Sequence, residues 1–165
     1  MKRFGWLLVA VLGCGDVGGV CAQAEVEAGM AVVVRDAMGP TKHPRAGMYT
    51  FTVTTEFGVL TWECEVAADD GTAMGCGTDQ VLTGKDSTAL LVSAVTGEDD
   101  FRLVLTRLES NVWTGPKEVH VEIERDGEVV ADETYAPKYE YSQLSGGRGC
   151  PQYWVLEGDP PTIGL

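Results

Sequence analysis

The sequence predicts an all-β protein, an antiparallel β-sandwich preceded by an N-terminal export signal. From residue 30 onward, short runs rich in Val, Thr, Tyr and Phe are separated by Gly and Asp. Turn residues every 8–12 positions or so are typical of a sandwich or barrel. Beyond residue 36 the chain has no clear apolar repeat with the i, i+3, i+4, i+7 spacing of an amphipathic helix.

The N-terminal residues predict export. Lys2 and Arg3 precede the apolar run 4–13. A short basic head followed by an apolar core of about 7–15 residues is the pattern of a cleaved signal. No second run reaches the roughly 18 apolar residues that span a bilayer. Any attachment of the mature chain to a membrane is therefore expected through lipid.

Two cleavage sites follow the apolar run. Val11-Leu12-Gly13-Cys14 resembles the lipobox of bacterial lipoproteins, in which an apolar, a variable and a small residue precede a cysteine. The resemblance implies that Cys14 becomes the mature N-terminus, carries diacylglycerol and anchors the chain in the cell envelope, in the periplasm or facing the surface. The alternative site lies after Ala24, in Ala22-Gln23-Ala24, and would release a soluble secreted protein.

The number of cysteines favours the lipobox. The five are Cys14, Cys21, Cys64, Cys76 and Cys150. If Cys14 carries lipid, four remain, which can close two disulfides. A hairpin around Asp69-Asp70-Gly71 would bring Cys64 and Cys76 opposite each other, and Cys150 would then pair with Cys21. No C-x-x-C motif is present, so no metal site is expected.

The predicted organisation is a signal peptide at 1–13, a flexible tether at 14–29, a single sandwich domain at 30–157 and a C-terminal tail at 158–165. The tail is expected because Pro160 and Pro161 follow Gly158. Within the domain, the alternation and the turn residues predict strands at 30–35, 48–55, 59–67, 73–78, 87–96, 101–109, 117–125, 128–135 and 152–157.

Three of these strands carry the clearest patterns. In the second, Tyr49, Phe51 and Val53 alternate with threonines, so one face is expected to be buried. The run 89–92 is apolar at every position, as in a strand buried on both faces. The strand 117–125 turns its Val and Ile residues inward and leads into Asp126-Gly127, which is typical of a type I′ hairpin.

The charge of the chain excludes one class of partner. The formal net charge is −13, and it becomes −15 when Lys2 and Arg3 leave with the signal. Such a chain is repelled by nucleic acid and by anionic lipid surfaces. Its acidity is explained most simply by solubility.

The N-terminal region also allows a rival interpretation. Gly13-Cys14-Gly15-Asp16-Val17-Gly18 matches the G-x-G-x-x-G pattern of dinucleotide-binding domains, and Asp36 follows the apolar run 31–34. An NAD(P)-binding protein would need strands that keep alternating with helices, and the sequence after Asp36 does not supply them.

No set of catalytic residues is recognisable. His43 lies in a proline-flanked segment and His120 on the polar side of a strand, while G-x-S-x-G is absent. The acidic groups Asp69-Asp70 and Glu98-Asp99-Asp100 contain oxygen ligands that suit Ca²⁺ but lack EF-hand spacing. A secreted enzyme with an unrecognised site remains the alternative to a binding protein. No cofactor is expected.

Aromatic residues near the C-terminus supply a candidate binding patch. Tyr139, Tyr141 and Trp154, if exposed together, would suit contact with a protein or a glycan. The body of the chain is similar to the immunoglobulin-like and fibronectin-like sandwiches of many lipoproteins, a likeness of architecture that carries no activity. The sequence therefore predicts a non-catalytic envelope lipoprotein that acts as a binding or interaction module.

Overall fold

The computed structural model describes residues 28–35, 45–67, 73–74, 78–84, 88–96, 101–142 and 152–165, and every regular element in these ranges is a strand. The strands are β1 Met30–Arg35, β2 Gly47–Thr55, β3 Gly58–Val66, β4 Ala73–Met74, β5 Thr78–Thr83, β6 Ala89–Thr96, β7 Phe101–Glu109, β8 Val112–Thr114, β9 Val119–Arg125, β10 Glu128–Tyr135, β11 Tyr139–Tyr141, β12 Gln152–Leu156 and β13 Thr162–Gly164. They form an eight-stranded and a five-stranded sheet. The predicted all-β fold is confirmed.

The five-stranded sheet is antiparallel, in the order β10-β9-β2-β3-β4. The side chains of Tyr49, Phe51 and Val53 on β2 are buried, while the threonines between them face outward. On β9 the residues Val119 and Ile123 are equally buried. The alternation of apolar and polar residues therefore predicted correctly which side chains of these strands face the core.

The turn between β9 and β10 also agrees with the prediction. Asp126 has a φ of 53° and Gly127 a φ of 82°, the positive values that a two-residue type I′ turn requires. Asp126 further accepts the backbone N–H of Met48 through Oδ1 at 2.9 Å, and its own N–H donates to the Met48 carbonyl at 2.8 Å. These bonds tie the hairpin to the start of β2.

The eight-stranded sheet is arranged around β7. One side of β7 pairs with β6, which pairs in turn with β5. The other side pairs first with β1 and then with β8. Beyond these, β13 runs parallel to β1, β12 runs parallel to β8, and β11 pairs with β12 at the end of the sheet. The sheet is therefore mixed rather than purely antiparallel.

The core lies between the two sheets. Phe51 of the five-stranded sheet stacks on Trp62 with ring centroids 5.1 Å apart, and it meets the edge of Phe101 from the opposite sheet at 6.0 Å. Leu103 and Leu105 lie on the same inner side of β7 and are fully buried. This contact between facing apolar surfaces makes the protein a sandwich.

The prediction that residues 158–165 form a tail is wrong. Thr162–Gly164 is β13, which pairs with β1 so that Ile163 lies opposite Val34. Ile163 is only 2% exposed, and the Leu165 N–H donates to the Arg35 carbonyl at 3.0 Å. Its partner β1 lies at the other end of the sequence, so no local pattern near the two prolines predicts this pairing.

The predicted tether 14–29 ends earlier than expected. Ala28 is buried, and its carbonyl accepts the Thr106 hydroxyl at 2.8 Å. The Gly29 N–H donates to the Trp154 carbonyl at 2.9 Å. Residues 28 and 29 therefore belong to the domain, while residues 14–27 lie outside the described ranges.

Other differences concern short strands. The residues of β5, β8 and β11 show no strong alternation, and these strands have six, three and three residues. The predicted strand 73–78 contains β4 and the first residue of β5. In the run 89–92, Leu90 and Val92 are buried but Leu91 is only half-buried, so burial on both faces was not the correct prediction.

Candidate functional site

The predicted aromatic patch lies on β11 and β12, the two strands at one edge of the eight-stranded sheet. Tyr141 of β11 is directly opposite Trp154 of β12, and their rings meet edge to face with centroids 5.8 Å apart. Tyr141 is 47% exposed, while Trp154 is half-buried. Cross-strand pairing thus places these two predicted residues side by side.

Tyr139, the third predicted member, has a different environment. It shares a face with Tyr141, but it packs against the core, and its hydroxyl donates to the Pro116 carbonyl at 2.8 Å. Burial, and secondly the nearby Glu56 carboxylate, raises the pKa of Tyr139 above its ordinary value of 10.0. Tyr139 therefore supports the fold, and the exposed part of the patch is the Tyr141–Trp154 pair.

A second aromatic pair lies on the opposite face of this sheet. Tyr153 is in register with Trp113 on the parallel strand β8, with ring centroids 5.4 Å apart. Consecutive residues of a strand point to opposite faces, so Tyr153 and Trp154 cannot belong to one surface. Because Tyr153 and Trp154 are adjacent in one strand, the sequence alone could have predicted that they belong to different faces of the sheet.

The histidines form no recognisable catalytic group in the described residues. His120 contacts Asp132 across β9 and β10, with Nε2 and Oδ1 2.6 Å apart. The side chains are 37% and 61% exposed, and such exposed pairs contribute little to stability. His43 lies outside the described ranges.

Most of the predicted cysteine sites also lie outside these ranges, which include Cys64 but not Cys14, Cys21, Cys76 or Cys150. Cys64 is buried on β3, and β3 pairs antiparallel with β4, so the chain reverses after Cys64 as expected. The lipid anchor and both disulfides remain predictions.

The two acidic groups, 69–70 and 98–100, lie outside the described ranges as well. Within the described ranges, no cluster of three or more metal-ligating side chains occurs.

Sequence reasoning missed a cleft at one end of the sandwich. It has a volume of about 540 Å³ and is lined by Glu56, Phe57, Thr83, Gly84, Thr88, Arg107 and Lys117. The turn between β2 and β3 supplies the first two residues, and the eight-stranded sheet supplies Arg107. The cleft therefore opens between the ends of the two sheets.

The sequence of β7 contained an indication of this cleft. Phe101, Leu103 and Leu105 alternate as buried residues, and Arg107 continues the same alternation. An arginine at an inward position of a strand requires either a partner or contact with solvent. That requirement predicts an opening at this end of the core.

The described residues include no helix that is long and apolar enough to cross a membrane. No protein-family model, curated protein or solved structure matches this chain.

Proposed function

We propose that this chain is a non-catalytic module of the bacterial cell envelope, anchored through lipid on Cys14, which binds a protein or glycan through the Tyr141–Trp154 pair. One observation supports the proposal. Tyr141, on the edge strand β11, is exposed and lies beside Trp154 on β12. Tyr and Trp combine a large apolar surface with a polar group, and they are common anchors of binding interfaces.

The packing of the pair supports this role. Trp154 lies on β12, which is hydrogen-bonded on both sides, and Tyr139 holds the start of β11 through its bond to Pro116. The two rings are therefore presented by ordered strands. Such preorganisation lowers the entropy that is lost when a partner binds.

The charge of the outer surface supports the same class of function. On the outer face of the five-stranded sheet, Thr50 lies between Glu63 on β3 and Glu124 on β9. These carboxylates repel nucleic acid and other polyanions. A neutral glycan or a protein surface that accepts aromatic side chains fits the chain better.

The direct test compares aromatic variants in two assays. Tyr141→Ala and Trp154→Ala are tested for co-sedimentation with insoluble peptidoglycan, and a photo-crosslinking residue at position 141 is tested for a specific protein adduct in intact cells. Val81→Ala and a crosslinker at position 81 are the matched controls, because Val81 is 60% exposed on β5 at the far side of the same sheet.

The proposal expects binding that both aromatic variants lose and the Val81 variant keeps, or an adduct at position 141 that is absent at position 81. If neither assay shows a difference between the patch and the control position, the aromatic pair is not the binding surface.

The rival NAD(P) hypothesis has its own test. β1, which would be the second strand of the nucleotide fold, pairs antiparallel with β7, and the described residues contain no helix to connect parallel strands. We expect no quenching or energy transfer when NADH or NADPH is added to the full chain. Saturable binding that is lost in Gly15→Ala would favour the nucleotide hypothesis instead.

A further inference from the structure

The end cleft brings two cationic side chains together in a chain that is acidic as a whole. Arg107 and Lys117 both line it, whereas the chain as a whole has a formal net charge of −13. None of the lining residues belongs to the Tyr141–Trp154 pair. The cleft can therefore be considered independently of the proposed binding patch.

Arg107 is held in place with most of its donors unused. Its guanidinium carbon lies 5.7 Å from the centroid of the Phe57 ring, a cation–π distance. Among the described residues its one acceptor is Glu109, whose Oε2 is 2.6 Å from Nη2. The Nε–H is buried and has no acceptor in the part of the chain that the structure describes. A buried donor without a partner is costly, so an additional acceptor in the cleft would be stabilising.

The neighbouring carboxylate of Glu56 bonds to the backbone of Lys117 and not to its ammonium group. Glu56 accepts the backbone N–H of Lys117 through Oε1 at 3.0 Å and Oε2 at 3.3 Å. This contact fixes the backbone that carries Lys117, but the described residues offer the Lys117 ammonium group no ion pair. Two cations and one carboxylate therefore line the opening; Arg107 is ion-paired with Glu109, while Lys117 has no ion pair among the described residues.

We infer that the end cleft binds a small organic oxyanion, a carboxylate or a phosphate monoester on a polar body. The planar guanidinium suits the paired oxygens of either group, and the Lys117 ammonium adds a point charge. Thr83, on β5 of the same sheet as Arg107, supplies a hydroxyl group for the polar body. A volume of about 540 Å³ is in the range of small-molecule sites.

The test is a titration of the isotope-labelled protein, followed by the amide NMR shifts of Gly84 and Lys117. Sodium glucuronate and glucose 6-phosphate are the two anionic probes, and glucose is the neutral control. The variants are Arg107→Gln and Lys117→Gln. Arg102→Gln, on the outer side of the same strand, and Lys138→Gln, which does not line the cleft, are their matched controls.

We expect saturable shifts with at least one anion and none with glucose. Arg107→Gln should weaken binding by about tenfold or more, as for a hydrogen bond to a charged group. Lys117→Gln should weaken it by roughly two- to fivefold, as for an exposed ion pair, and each control should stay within about twofold of wild type. Because Lys117 is exposed, its variant is informative even if Arg107→Gln fails to fold.

The two anions distinguish carboxylate from phosphate recognition. Absence of saturable shifts with both anions, equal binding of glucose, or an affinity unchanged in Lys117→Gln would each overturn the inference. None of these outcomes bears on peptidoglycan binding or crosslinking at Tyr141, so the two proposals fail separately.

Discussion

Replacement of Gly29 by alanine tests where the folded domain begins. Gly29 has a φ of +101°, which costs a non-glycine residue about 1–2 kcal/mol. A β-carbon at this position would also overlap the backbone carbonyl oxygen of Leu105. Relief of that overlap requires β1 and β7 to separate, and overpacking of this kind costs about 1–3 kcal/mol more. The expected loss in the free energy of unfolding is therefore roughly 2–5 kcal/mol.

The matched control is Gly127→Ala in the hairpin turn. Gly127 has a φ of +82°, and a β-carbon there would meet nothing within 4 Å, so this variant isolates the backbone cost of about 1–2 kcal/mol. Urea unfolding monitored by circular dichroism gives both free energies, with similar m-values expected. If Gly29→Ala loses no more stability than Gly127→Ala, residue 29 is not fixed against β7 and the domain begins later.

Three further predictions concern other parts of the fold. Ile163→Ala should lose about 2–4 kcal/mol as a buried aliphatic residue, and Thr162→Ala under about 0.5 kcal/mol, by urea unfolding; equal losses would contradict β13 as a core strand. Tyr139→Phe should lose about 1 kcal/mol at neutral pH by the same assay. Because the pKa of Tyr139 is raised in the folded state, its contribution is complete below pH 10 and declines above it, so Tyr139→Phe should flatten the alkaline loss of stability; an unchanged alkaline slope would refute this. Peptide mapping without reductant should find Cys64 joined to Cys76, and any other partner of Cys64 would contradict the predicted hairpin disulfide.

The strands that the sequence predicted well have either a clear apolar inner face or a local turn beside them. The predicted bounds of β1, β7 and β10 agree with the structure, and β2 begins one residue earlier than predicted. β10 has no buried residue, and the Asp126-Gly127 turn before it marks where it begins. β1, β2 and β7 each turn three apolar residues inward. Their burial provides enough free energy to fix the face of the strand without information from distant residues.

Several of the elements that were missed depend on partners that are distant in the sequence. β13 has three residues, and its position depends on parallel pairing with β1 from the other end of the chain. β8 and β11 are equally short, and both pair with β12. A three-residue strand carries too little alternation to identify, so its pairing partner decides its structure.

The candidate sites were also predictable only in part from the sequence. Tyr141 and Trp154 could be grouped from sequence because both belong to an aromatic-rich C-terminal region, and their direct pairing required the register of β11 and β12. The end cleft joins Glu56, Arg107 and Lys117 from separate segments. The inward position of Arg107 was visible in the alternation of β7, but its neighbours across the cleft were not.

Our proposal is that the mature chain begins at a lipid-bearing cysteine and is held in the envelope. Its most direct test is the intact mass of the protein purified from membranes of the native cell. We expect the mass of residues 14–165 plus diacylglycerol on Cys14, with or without an acyl group on its amine. A mass that fits unmodified residues 25–165, or the entire chain from Met1, would contradict it.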